Sequence, residues 1–297
     1  MKRSIAALSL ILIGCPPDKP VKPIPDAGTG GALSTGGSLS TGGSSATPTT
    51  SIAGNPATGG TSTIAWLDCA PENTFKAGPI IKYKLGARMV SPPIGMHLEA
   101  PLTLTAKSGI WDALNSLPLE QTVGSCIGYS AAECLSTRPF GLLSTTKRGN
   151  DLYHEATILD SFVGTWPPDD TGSDCISGAR AAQKLGFIVG FDVAYTLADI
   201  KSRLTLGPGI MCSNWSTPQF TPDRCGIVHY DPLLIEGGHA RAMVGQNVER
   251  GMIGERNTWG PKWGTTYKGN SGYFAESYDD IQRELNGGGV AVFYRVP

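Results

Sequence analysis

The chain has 297 residues, enough for one or two domains with a sizeable core, and a net charge of −1 with only 16% charged residues. No run of basic residues offers a phosphate-binding surface, so a nucleic-acid partner is not expected. Hydrophobic content is ordinary for a globular protein, but Gly is high at 39 residues, with a dense Gly-rich stretch near the N-terminus.

The first residues read MKRSIAALSLILIGC. Lys2 and Arg3 form a positive start. The apolar stretch Ile5 to Ile13 is too short to span a bilayer as a stable helix. It ends in Leu12-Ile13-Gly14-Cys15, which resembles the lipobox of bacterial lipoproteins. That resemblance implies a signal peptide over 1–14, cleaved before a lipid-carrying Cys15, and export to the cell envelope. Pro16 after the Cys leans towards the outer membrane where the host has one. Several acyl chains anchor a protein firmly where one would not. An ordinary secretory signal is the alternative reading.

Residues 15–63 are rich in Pro, Gly, Ser and Thr, and LSTGGS occurs twice in tandem at 33–38 and 39–44. Such a segment cannot bury a core and reads as a disordered tether, with a reach of roughly 40 Å as a flexible coil. Residues 64–110 form an N-terminal extension, either a wrap around the following domain or a plug in a cleft. Globular composition continues to the end of the chain.

Helices are predicted in a small-residue run, IGYSAAECL, that follows Gly124-Ser125-Cys126, and in 174–185 with a Ser173 cap and Gly186 as stop. Two more are predicted after Thr196 and over YDDIQRELN, the last capped by Ser277 with Asp279 and Asp280 in its first turn. Strand-like runs are FIVGFDVAY, GIMCSNW, ARAMVGQNV and VAVFYRV. Helices first and strands later predict an α+β fold with an antiparallel sheet in the C-terminal half.

Three pieces carry chemistry: EQTVGSCIGYSAAE at 120–133, GGHARAMVGQNV at 237–248 and RNTWGPKWG at 256–264. A Cys in the first turn of a helix has its thiolate favoured by the helix N-terminus, and a neighbouring imidazolium favours it further. Gly237-Gly238 lets backbone approach closely beside His239 at a strand start. Asn257 is suited to orient that imidazole, and Trp259 to shield the bond from water. A Gln just before the Cys can donate to a developing oxyanion.

The order Gln…Cys…His…Asn, with GSC, GGHA and NTWGPKWG, resembles the papain family of cysteine peptidases over residues 111–297. YHEATILD at 153–160 and PPDDTGSDCISGARAAQKLG at 167–186 add to it, and the likeness is greatest to the phage and bacterial branch. The resemblance implies a helical left lobe carrying Cys126, a β-rich right lobe carrying His239 and Asn257, and a cleft between them. It implies Cys126 as nucleophile, His239 as general base and acid, Asn257 as its orienter, and Gln121 with the Cys126 N–H as oxyanion hole. Gly124, Ser125, Gly238 and Trp259 would line the substrate site. A peptide or protein substrate, no cofactor, no metal and a monomer are expected. Gln121 stands five residues before the Cys, one fewer than is usual in the family, and Ile127 replaces the usual aromatic after it.

Of seven cysteines, Cys15 is assigned to the lipid. Cys134 with Cys175, on helices that pack together in this fold, and Cys212 with Cys225, flanking a polar loop, are the expected disulfides, which leaves Cys69 without a partner. A zinc site from Cys212, Cys225 and His229 lacks a fourth ligand. Asp169-Asp170 reads as part of a turn leading into the next helix. The function expected is peptide-bond hydrolysis through a thioester at a membrane-tethered site. The alternatives are a catalytically silent papain-fold binding protein and a cell-wall peptide amidase or transpeptidase.

Overall fold

The computed structural model describes residues 85–89, 104–111, 117–267 and 270–296. Cys15, the tether, Cys69 and most of the extension lie outside the described residues.

Three helices come first among the longer elements: α1 (Cys126–Leu135), α2 (Thr146–Leu159) and α3 (Cys175–Lys184). Every residue of α1 is buried, and small side chains let its neighbours come close. A Cβ at Gly128 would lie 2.3 Å from the carbonyl oxygen of Gly149 on α2, so the two helices meet backbone to backbone. α2 is capped by Thr145, which accepts from the Arg148 N–H. The cap of α3 is Asp174, whose carboxylate accepts from the N–H groups of Ile176 and Ser177. The expected cap, Ser173, instead donates to Asp160 at 2.8 Å. A carboxylate is the stronger acceptor for helix N–H donors, and it takes the cap.

The second half supplies most of an antiparallel sheet. Its strands are β1 (Gly109–Ile110), β2 (Gly190–Ala194), β3 (Gly209–Ser216), β4 (Ile235–Asn247), β5 (Met252–Arg256), β6 (Thr265–Tyr267), β7 (Asn270–Ser277) and β8 (Val290–Arg295). The order is β2-β8-β3-β4-β5-β7-β6, with β1 also on β4. Helices α4 (Leu197–Leu204, capped by Thr196) and α5 (Tyr278–Asn286, capped by Ser277) complete the domain. β5, β6 and β7 have no counterpart among the predicted strands, nor α2 among the predicted helices. β4 begins at Ile235, ahead of Gly237-Gly238.

The main core joins α1 and α3 to the sheet through Ile127, Ala131, Leu135, Ile176, Ala182, Ile210, Val244 and Val292. A disulfide crosses the same boundary. Cys175, the first residue of α3, is bonded to Cys212 on β3, with a Cα–Cα distance of 5.9 Å. Both expected pairings are therefore wrong. Cys134 is a free, fully buried thiol, and Cys225 is held in a disulfide, though not with Cys212. The expected pairings followed nearness in sequence and helix neighbourhood, whereas packing sets the start of α3 against the middle of β3. With both sulfurs in disulfides, the zinc reading of Cys212 and Cys225 falls.

Candidate active site

Cys126 opens α1, after a tight turn in which the Ser125 N–H donates to the Val123 carbonyl at 2.8 Å. Ser125 is buried at the N-cap but makes no side-chain cap. The Cys126 thiol is fully buried, and backbone groups of Ala240 and Gly86 lie against it. Ala240 follows His239 on β4, so the start of the helix meets the histidine strand.

His239 is paired with Ser213 of β3 and is fully buried. Its Nε2 lies 2.8 Å from the Asn257 Oδ1, just beyond the end of β5. With that oxygen accepting, Nε2 carries the hydrogen and Nδ1 is the free base. Nδ1 has no hydrogen-bond partner among the described residues. Asn257 is itself fixed: its N–H donates to Gly272 and its Oδ1 also accepts from the Thr258 N–H at 2.8 Å.

Trp259 stacks on His239, with ring centroids 4.6 Å apart and planes 26° apart. This is the aromatic cover expected for the imidazole. Trp263 meets Trp259 edge-on. Trp215 and Phe220 were not anticipated. Trp215, on β3, meets His239 edge-on at 4.9 Å, and Phe220 lies parallel to Trp259 at 5.4 Å. GIMCSNW reads in sequence as a strand, and nothing in it distinguishes Trp215 from an ordinary core residue.

Gln121 reaches the site by pairing between the lobes. Its N–H donates to the Thr258 carbonyl at 2.9 Å, the Gly260 N–H donates to Leu119, and the Thr258 hydroxyl donates to the Gln121 Oε1. Its Nε2 donates to the Val123 carbonyl at 3.0 Å. The short spacing before Cys126 is thus absorbed in the 122–125 turn, while the ladder to 258–260 fixes the glutamine. A second tie lies behind: Arg256, next to Asn257, pairs with Glu133 of α1 at 2.6 Å, both fully buried.

Residues 85–89 lie across the site as a strap. The Ala87 N–H donates to the Gly238 carbonyl at 2.9 Å, the Arg88 N–H to Ser173 at 2.8 Å, and the Ser173 N–H to Gly86 at 3.0 Å. Gly86 rests on Gly124, where a Cβ would come within 1.9 Å of the Gly124 carbonyl oxygen; a Cβ at Gly238 would meet the Ala87 oxygen at the same distance. Leu85 packs against the tryptophan cluster and Met89 against the main core. The Arg88 Nε donates to the Thr171 carbonyl at 2.9 Å. The glycines at 124 and 238 are therefore where peptide backbone passes.

Burial governs the charges. It pushes the Cys126 thiol up to about 11, although nearby backbone groups pull it back in part. It drives His239 down to about 3, against the hydrogen bond it donates to Asn257, with the charge of Arg241 adding to the fall. Burial therefore works against a thiolate–imidazolium pair under the strap and opposes the pull of the helix N-terminus. Two residues beyond His239, the fully buried Arg241 is bonded to Glu255, Glu276, Glu284 and Ser213, and lies over Trp215.

The arrangement is a papain-like α+β fold: a helical lobe, an antiparallel β lobe, and Cys, His and Asn brought to their boundary. Among solved structures, the chain is similar to xylellain, a cysteine protease from Xylella fastidiosa, at 16% identity and TM-score 0.57 over 73% of this chain and 97% of that one. It also matches procathepsin B S9 from Trypanosoma congolense, at 12% identity and TM-score 0.49 over 72% and 86% of the two chains. The fold assignment rests on the first. No protein-family model matches the sequence, and no curated protein matches it.

Proposed function

We propose that the chain is a cysteine peptidase, tethered to the cell envelope through a lipid on Cys15 and held latent by its own strap. The observation that carries the reading is the His239–Asn257 pair at 2.8 Å, with the Nδ1 unpartnered among the described residues, on the strand that meets the Cys126 thiol.

With the strap displaced and a peptide in its place, water and substrate dipoles reach the site and the burial penalty on both groups falls. His239 Nδ1 takes the Cys126 proton, and the thiolate attacks the scissile carbonyl carbon. The developing oxyanion is received by the Cys126 N–H and the Gln121 amide. The imidazolium, held in orientation by Asn257 and stacked on Trp259, gives its proton to the leaving amine. A water, deprotonated by His239, then attacks the thioester, releasing the acid and restoring the thiol. The strap's buried contacts with Gly238 and Ser173 stand where that peptide would lie.

The experiment is turnover of a fluorogenic peptide library by a Gly86→Leu chain in reducing buffer, beside the same chain carrying Cys126→Ala. Hydrolysis lost with Cys126→Ala supports the reading; hydrolysis retained removes Cys126 from its role. The raised thiol and the occupied cleft favour one alternative, a silent binding protein. Absence of turnover in the opened chain, with intact folding, would select it. The anchor has its own test: Cys15→Ala should move the protein from membrane to soluble fractions, and retention in the membrane would exclude the lipid.

A further inference from the structure

The stretch PPDDTGSD at 167–174 reads as a turn leading into α3. The structure gives the cap to Asp174 and leaves Asp170 with other work. Both Asp170 carboxylate oxygens accept from the Gly124 N–H, each at 2.9 Å. Oδ1 accepts as well from the hydroxyl of Tyr153 at 2.8 Å. That hydroxyl, on a fully buried side chain of α2, in turn accepts from the Gly172 N–H at 3.0 Å. Burial and the neighbouring Asp170 charge hold the phenol protonated, so it remains a donor to the carboxylate.

These bonds join two walls that enclose one residue of passing backbone. Gly124 lies two residues before Cys126. Gly172 lies on the opposite side of Gly86, where a Cβ would come within 2.0 Å of the Gly86 oxygen. A Cβ at Gly124 would itself lie 2.9 Å from the Asp170 Oδ1. The slot has no slack, and a single carboxylate spans it, directly on one wall and through one phenol on the other.

We propose that Asp170 is a positioning residue for the reaction: through Gly124 it sets the turn that delivers the Cys126 backbone N–H to the oxyanion, and through Tyr153 and Gly172 it sets the width of the peptide slot. Its chemical meaning rests on the peptidase reading. Two donors converge on Oδ1, and the Gly124 N–H is shared with Oδ2. An amide can keep the first oxygen but would turn an NH2 towards the Gly124 N–H. Asp170→Asn is therefore a graded perturbation, and Asp170→Ala a complete one.

The test uses the full chain carrying Gly86→Leu as parent, with Asp170→Ala, Asp170→Asn and Tyr153→Phe added singly. Amide hydrogen exchange reads the walls. Asp170→Ala should speed exchange at both Gly124 and Gly172, and Tyr153→Phe chiefly at Gly172. Two reagents then separate positioning from mere integrity. A peptide aldehyde captures the site as a hemithioacetal: the Cys126 sulfur bonds to the carbonyl carbon and the thiol proton passes to the oxygen. Its affinity needs the oxyanion donors. Alkylation by iodoacetamide expels iodide and needs only the thiolate.

Asp170→Ala should weaken the aldehyde by on the order of ten- to a hundredfold while leaving the alkylation rate and its pH profile unchanged, and Asp170→Asn should fall between. Unchanged exchange at Gly124 overturns the proposal. So does a parallel fall in aldehyde affinity and alkylation in both Asp170 variants, which marks a role in folding alone. A parent that shows the Asp170-dependent aldehyde affinity but cleaves no peptide retires the peptidase reading and keeps the positioning role. Turnover with an aldehyde affinity indifferent to Asp170 retires the positioning role only.

Discussion

Gly86→Leu should open the site. The residue has no room for a side chain: its Cβ would fall 1.9 Å from the Gly124 oxygen, a backbone atom that cannot swing aside. Displacing it breaks the three backbone hydrogen bonds that join Gly86, Ala87 and Arg88 to Gly238 and Ser173. At roughly 1 kcal/mol net each, their loss shifts the closed-to-open ratio by on the order of a hundredfold. The apolar contact of Leu85 with the tryptophan cluster is an additional loss that the variant shares. The assay is the second-order rate of iodoacetamide alkylation at Cys126 at pH 7, followed by peptide mapping. The natural chain should react slowly, because its thiol is buried and raised to about 11. Gly86→Leu should react about a hundredfold faster, with the buried Cys134 unlabelled in both. Equal rates in the two chains would show that the strap does not close the site.

Four further outcomes follow from the same geometry. Replacing both Cys175 and Cys212 by Ser removes a cross-link spanning 37 residues, which should cost about 4 kcal/mol in the chain-entropy account and lower Tm by roughly 10 °C; calorimetry under non-reducing conditions reads it. Glu133→Ala leaves Arg256 charged and buried without its carboxylate and should cost about 3–5 kcal/mol in denaturant unfolding, where a loss below 1 kcal/mol would show the pair to be dispensable. If the proposed peptidase reading holds, Asn257→Ala should lower kcat of the opened chain by on the order of a hundredfold or more by freeing the imidazole to rotate, with little change in KM. Burial raises Glu255 to about 7 and Glu276 well above its usual value. The folded state therefore holds protons that the unfolded chain releases above about pH 4.5, so both groups stabilise at acid pH; the contribution of Glu255 is lost as pH rises through about 7, and that of Glu276 falls as pH rises above the usual carboxylate range. Glu276→Gln should flatten the decline in Tm between pH 5 and 8; an unchanged slope would place the titration elsewhere.

The residues whose chemistry restricts where they can stand were legible in the sequence. Cys126 after Gly-Ser, His239 after two glycines, and Asn257 ahead of a Thr-Trp-Gly run each carry a local signal, and the structure brings all three to the boundary between the lobes. Capped helices such as Tyr278–Asn286 were legible because the stop and start residues act within one turn. What was lost depends on partners distant in the chain. The Cys175–Cys212 bond follows from α3 lying on the sheet, which no spacing encodes. Trp215 is an unmarked strand residue until β3 pairs with β4 and sets it against His239. Strands β5 (MIGER) and β7 (NSGYFAES) each carry a glutamate, Glu255 and Glu276, that is buried in an ion pair with Arg241, so a carboxylate interrupts the apolar pattern that would mark a strand. LGARM at 85–89 has the composition of any loop. The sequence leaves 64–110 as either a wrap or a cleft plug, and only the close backbone approach at Gly124 and Gly238 shows where these five residues pass.

The most direct test of the account is to trap the acyl intermediate. The Gly86→Leu chain, mixed with an activated peptide ester and quenched in acid, should carry one acyl group on Cys126, removed by neutral hydroxylamine and formed far more slowly when His239→Ala is added. No acyl group, or one on a residue other than Cys126, would contradict the claim that the sulfur at the start of α1 and the imidazole of β4 form one catalytic pair.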